Sequence, residues 1–160
     1  LLVEVQALVA PAGMGPPRRT VSGLDAARLA LLIAVLARRG GIDVSNRDVY
    51  ASLAGGLTVN EPALDLPLAL AVAASQRDQA LPSDMLVCGE LSLLGEVRSV
   101  RGLDRRLREA ARLGFRRALV PADAVRAAGA TVPEGLELIR VSTLREAIER
   151  GFTIGTGTSG

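Results

Sequence analysis

Pro67 lies inside the apolar stretch "NEPALDLPLALAVAAS" (60–75) and limits where a helix can begin. A helix opening at Asn60 would hold the ring in its interior, losing a hydrogen bond and clashing with the turn before it, at a cost of about 3 kcal/mol. With Asp65 as N-cap, Pro67 falls in the first turn, where its missing N–H does no harm. The sequence therefore predicts a helix from Asp65 to about Ser75–Arg77, entered from a Gly-rich segment. Such junctions often carry a nucleophile or cradle a phosphate. Here the polar groups are two carboxylates, Glu61 and Asp65, and Asn60.

The rest of the chain shares one restriction. Half of it is hydrophobic (49%) but only 2% is aromatic, so the core must be assembled from Leu, Val, Ala and Ile. At 160 residues the chain suffices for one domain with a real core. The longest apolar run, "LALLIAVLA" (29–37), lies between Arg28 and Arg38 and is too short to span a bilayer. "LLVEVQALVA" (1–10) alternates as a half-buried strand. It opens the chain without a leader, so the chain reads as a fragment of a longer protein. "PAGMGPP" (11–17) is a turn or loop and "RRTVS" (18–22) the returning strand.

Ser22 with Asp25 suggests a capping box ahead of a helix to Ala37, closed by Arg38, Arg39, Gly40 and Gly41. Strands are expected over 48–59 and, broken at Gly89 and Gly95, over 85–100. "RGLDRRLREAARLG" (101–114) is an amphipathic helix facing inward through Leu103, Leu107, Ala110 and Ala111. "RRALVP" (116–121) is a buried strand, and Pro121 opens a helix to about Ala128. "LELIRV" (136–141) is a strand, and Ser142 or Thr143 caps a last helix to Arg150. The expected organisation is one α+β domain over 1–152 with a flexible tail over 153–160.

Several chemistries are excluded by residue type. There is no His, and every one of the 19 basic residues is Arg. A His base, a His metal ligand, a Lys Schiff base and a Lys general base are all unavailable. "GMGPPR" (13–18) lacks the spacing and the Lys-Ser/Thr pair of a phosphate loop. Cys88 is the sole cysteine, so no internal disulfide can form, which fits a cytoplasmic protein. Glu61 and Asp65 are the only close carboxylate pair near a helix start, and they fit capping better than metal binding.

The Arg clusters remain. Net charge is only +2, so any nucleic-acid surface must come from local grouping. Arg101, Arg105, Arg108 and Arg112 recur on one helical face, where Asp104 and Glu109 can pair with Arg108 and Arg105 and leave a solvated surface. Arg18, Arg19, Arg38, Arg39 and Arg47 have fewer acidic neighbours, although Asp43 and Asp48 flank Arg47. These five are the candidates for phosphate contact. Tyr50, Phe115 and Phe152 do not interleave with them, so contact would be to backbone and salt-sensitive rather than base-reading.

"CGELSLLGEVRSVRGLDRRLREAARLGFRRALVP" (88–121) resembles the Lon protease C-terminal domain. In that family a Gly-Glu strand pair leads to a Gly-Leu-Lys-x-Lys helix start and a strand ending in Pro. Registered on Pro62 and Gly89, the family's catalytic Ser position falls on Ala63 and its catalytic Lys on Arg106. Ala63 has no nucleophilic atom, and Arg106 does not act as a base. The resemblance thus implies a domain without proteolytic activity. "LLVEVQALV" and "DLPLALAVAA" carry a closer likeness, over about 1–152, to the Lon-like C-terminal domain of the RadA (Sms) family of bacterial DNA-repair and recombination ATPases.

That likeness implies a Lon protease C-terminal-domain-like fold, a mixed sheet with packed helices. It implies a hexameric homo-oligomeric ring on single-stranded or branched DNA, driving branch migration with ATP. A zinc finger and a RecA-like ATPase core, with their ATP, Mg and Zn, would lie before Leu1; no cofactor is expected in this segment. The alternatives are a pure oligomerisation scaffold and a chaperone-like, peptide-binding pseudo-protease.

Overall fold

The computed structural model describes residues 2–54, 59–123 and 132–156, with side chains described as far as Thr153. The elements run β1 (Val5–Pro11), β2 (Arg19–Ser22), α1 (Ala26–Val35), a π-helical turn (Leu36–Gly40) and β3 (Arg47–Leu53). A 3-10 turn (Pro62–Leu64), α2 (Asp65–Arg77), β4 (Met85–Val87), β5 (Glu90–Leu91) and β6 (Val97–Arg98) follow. The chain then forms α3 (Leu103–Arg112), β7 (Arg117–Pro121), β8 (Glu137–Val141) and α4 (Leu144–Thr156). This is a mixed α and β architecture with both parallel and antiparallel strand pairs.

The first sheet has the order β1-β3-β2. β1 runs antiparallel to β3, and β2 runs parallel to it. The expected returning strand is therefore not a hairpin partner of β1. It starts a β-α-β crossover through α1, which places β3 between the two. Val5, Ala7, Val9, Val21, Val49 and Ala51 face the helices. Gln6, Leu8, Thr20, Ser22 and Tyr50 face outward and are exposed. The edge of β1 is tied down where the Val9 N–H donates to Ser75 Oγ of α2 at 2.8 Å.

The second sheet, β4-β7-β8, is entirely parallel, and such sheets are covered on both faces. Strand alternation divides its side chains between two cores. Met85, Leu119, Ile139 and Val141 join the large cluster with α1, α2 and α4. Cys88, Ala118 and Val120 join a smaller one beneath α3, with Ala63, Leu103 and Leu107. β5 and β6 form a small antiparallel hairpin.

Three helix starts differ from expectation. Asp25, not Ser22, is the N-cap of α1, and its carboxylate accepts the Ala27 N–H at 3.0 Å. α3 begins at Leu103 because Gly102 before it adopts φ +69°, a left-handed conformation that cannot continue a helix. Arg101 thus lies in the preceding turn. Asp65 is the first residue of α2, with Leu64 as N-cap and no side-chain cap bond. Pro67 still falls in the first turn.

At the C-terminal end, Thr143 Oγ1 caps α4 by accepting the Glu146 N–H at 3.1 Å. α4 continues beyond Arg150 to Thr156, and Phe152 is buried. The helix expected after Pro121 falls mostly on 124–131, outside the described residues.

Candidate nucleic-acid interface and the elbow at Ala63

The junction that opens α2 is a closed network of hydrogen bonds. Asp65 N–H donates to Pro62 O, and Leu66 N–H donates to Gly89 O at 3.0 Å. Pro67 has no N–H to satisfy. Gly89 N–H returns a bond to Ala63 O at 3.1 Å. Three donors left over at a helix start are thus either satisfied or absent without a side-chain cap. Gly89 is required here: a Cβ on it would stand 2.9 Å from Val97 Cγ1 and 3.2 Å from Leu66 Cδ2.

Asp65 is the one buried charged residue among those described, 3% exposed. Its carboxylate accepts from Arg28 Nε at 2.8 Å, from a second Arg28 nitrogen, and from the Leu91 N–H at 3.0 Å. The hydrogen bond to Asp65 raises the Arg28 pKa further above its ordinary value. The carboxylate that the sequence assigns to capping instead joins α1, α2 and β5.

Ala63 is buried in the smaller core. Arg106 donates through Nε to Arg101 O at 2.9 Å and through a terminal nitrogen to Glu61 Oε1. Burial pulls the Arg106 pKa down while Glu61 sits against it. The contact geometry governs, and the guanidinium stays charged. This elbow therefore presents a methyl group and an ion pair. It holds no nucleophile beside a base. Cys88, the nearest reactive type in the same cluster, is buried, and burial pushes its thiol up to about 12. No group of three or more metal-ligating side chains occurs among the described residues.

The five candidate Arg fall into two groups. Arg18, Arg19 and Arg47 meet at one end of the first sheet. The Arg19 guanidinium donates to Arg47 O, to Ser45 O at 3.1 Å and to Val44 O at 3.4 Å. It is a clamp on the 44–47 loop. Arg18 and Arg47 are exposed. The neighbouring acids are occupied by backbone: Asp48 Oδ1 accepts the Arg18 N–H at 2.7 Å, and Asp43 Oδ1 accepts the Ser45 N–H at 2.9 Å. Arg38 and Arg39 form the second group, exposed on the π-turn at the end of α1. Arg39 lies along the β5–β6 turn, its Cβ only 2.7 Å from where a Cβ on Gly95 would stand. The loop over 41–46 joins the groups.

The α3 face differs from the expected neutral surface. Glu109 pairs with Arg112 at 2.6 Å, not with Arg105, and this bond lowers the Glu109 pKa. Asp104 does not reach Arg108, and its Oδ1 is buried without a hydrogen-bond partner. The spacing that permits an i,i+4 pair also permits i,i+3, so sequence alone could not choose.

A groove of about 680 Å³ lies between the π-turn, the end of α2 and α4. Asp43, Arg77, Arg145 and Glu149 line it with opposed charges, and Arg77 stacks 5.1 Å from the centre of the Phe152 ring. No helix among the described residues is long and apolar enough to cross a membrane.

Comparison with known proteins fits this geometry. Residues 27–124 match the family model described as "Subunit ChlI of Mg-chelatase". The chain is 46% identical over 148 residues to the DNA repair protein RadA of Escherichia coli K12, covering 92% of this chain and 32% of that protein. It is 44% identical over 149 residues to that of Bacillus subtilis 168, with 92% and 32% covered. It is 47% identical over 152 residues to that of Pseudomonas aeruginosa, with 95% and 33% covered. The chain spans about a third of the length of these curated relatives. The chain belongs to the RadA family, in a segment largely covered by the family model for the ChlI subunit.

Proposed function

We propose that this domain is a non-proteolytic, Lon-like scaffold of a RadA-type DNA-repair protein. It assembles into a hexameric ring in the cytoplasm and contacts DNA through Arg, supporting ATP-driven branch migration by an ATPase core elsewhere in the protein. The observation that carries the DNA contact is the state of the exposed Arg. Arg18, Arg38, Arg39 and Arg47 join no ion pair among the described residues. The acids beside Arg18 and Arg47 are turned to backbone amides instead. Free guanidinium groups suit phosphate oxygens. Arg19 serves by holding the loop that carries Arg47. The proteolytic reading loses its chemistry at Ala63 and Arg106.

The test is binding to single-stranded, duplex and branched DNA across a salt series. Arg18→Glu with Arg47→Glu, and Arg38→Glu with Arg39→Glu, should each weaken binding and flatten its salt dependence. The log–log slope should fall by about 0.9 for each duplex phosphate that is no longer neutralised. A parent chain that binds no DNA at about 50 mM salt would reject the DNA surface. It would leave the scaffold reading, with assembly as the domain's task.

A further inference from the structure

Leu93 and Leu94 are 65% and 63% exposed, an adjacent pair of large apolar side chains held out in solvent. The remaining large exposed apolar residues among those described are scattered singly, which is ordinary. The tip that carries the pair is well anchored. Ser92 N–H donates to Glu96 O and Gly95 N–H to Ser92 O, both at 3.0 Å. Glu96 N–H donates to Ser92 Oγ at 3.1 Å, and Leu144 N–H donates to Gly95 O at 2.8 Å. Gly95, at φ +79°, packs against the Arg39 stem. The tip is thus a fixed prong on the hairpin base, tied to the start of α4.

The same chain carries a matching concavity. The outer face of the first sheet has a depression of about 300 Å³ lined by Gln6, Leu8, Thr20, Val21, Tyr50 and their strand neighbours. Leu8 is 57% and Tyr50 38% exposed, and the two are direct cross-strand partners. No charged residue lines the depression, so a phosphate strand has no partner there. The prong from Leu91 to Gly95 is equally uncharged.

The two features cannot meet within one molecule. The inner face of the first sheet packs on α2, and β5 packs on α2 as well, so the helices lie between prong and depression.

We propose that the Leu93–Leu94 prong docks into the Leu8–Tyr50 depression of a second copy of this chain. The contact is heterologous, joining different surfaces of the two copies, and such contacts build rings or open chains rather than closed two-fold dimers. The proposal rests on the ring-assembly reading and names the surfaces that would form it. A prong this small covers less than the roughly 800 Å² per partner of a stable interface. Each contact is therefore weak alone and is strengthened when several close together.

Sedimentation velocity over a concentration series tests it. The tip variant is Leu93→Asp/Leu94→Asp. The groove variants are Leu8→Asp and, separately, Tyr50→Arg, with circular dichroism checking that each folds. The parent should shift to larger species with concentration, and each variant should associate about tenfold more weakly or worse. Mixing tip and groove variants leaves one intact contact per pair, so the mixture should form dimers and stop there. A mixture that stays monomeric overturns the proposal. Variants that assemble like the parent also overturn it, while ring assembly through another surface survives. A parent that stays monomeric throughout rejects both the contact and assembly by this domain, whereas DNA binding is judged separately by the salt series.

Discussion

Replacing Asp65 with Ala should be among the most damaging single changes in the chain. The carboxylate binds Arg28 through two nitrogens and takes the Leu91 N–H at 3.0 Å. Its removal leaves that buried N–H without an acceptor, worth about 1–3 kcal/mol. It also removes a negative charge from the first turn of α2, worth about 0.3–1 kcal/mol. Arg28 adds less than a fully buried partner would, because its side chain is 35% exposed and can turn to water. The sum is about 3 kcal/mol. For a domain of this size that lowers Tm by roughly 6–12 °C. Asp65→Asn can still offer Leu91 an acceptor but loses the charge, so about half the loss is expected. Urea unfolding monitored by circular dichroism measures both. Ala and Asn variants each within about 0.5 kcal/mol of the parent would refute the network's role. An Asn variant as unstable as the Ala variant would refute the weight given to the Leu91 bond.

Three further outcomes follow from the same region. Gly89→Ala should destabilise by about 1–3 kcal/mol, because its methyl group would meet Val97 Cγ1 at 2.9 Å; a parent-like urea midpoint would contradict the packing described. Ala63→Ser should restore no peptidase activity, since the nearest basic side chain described at the elbow, Arg106, is held by Glu61 and Arg101 O. Cleavage of an unfolded fluorogenic peptide above background would overturn that. Cys88 titrates at about 12 when folded against an ordinary 9.0. Between those values the unfolded chain loses the thiol proton and the folded chain keeps it, so stability falls as pH rises, by about 1.4 kcal/mol per unit. Cys88→Ala should flatten the slope over that range, and an unchanged slope would reject the assignment.

The secondary structure was legible where period and punctuation agree. Alternation in β1, the Gly89 and Gly95 breaks and the Leu103–Leu107–Ala110 stripe of α3 all follow local rules that tertiary packing did not override. The alternation of β4, β7 and β8 also had a hidden second meaning. Both sets of side chains are buried, one in each core, and a short apolar strand cannot announce whether its second face is covered. Strand partners were not legible either. Nothing local in "RRTVS" says that it pairs with β3 rather than with β1, because that is decided by the crossover through α1.

The polar network at the elbow was illegible for a different reason. Asp65 satisfies every local criterion for a cap, and Arg28 looks like the polar boundary of an apolar helix. Their bond depends on two helices 37 residues apart in sequence meeting side by side, and on Leu91 needing an acceptor at the same place. Once Gly89 and the 3-10 turn bond the backbone donors at the start of α2, the Asp65 side chain has no capping bond left to make. Local grammar therefore located the residue and misassigned its partner. The Arg surface shows the converse. Composition placed Arg18, Arg19 and Arg47 in one functional set, and the fold does bring them together. Only the hydrogen bonds separate Arg19, spent on three loop carbonyls, from the two guanidinium groups left to face solvent. A test that treated all three alike would confuse collapse of the loop with weaker phosphate binding, so Arg19 belongs among the stability controls.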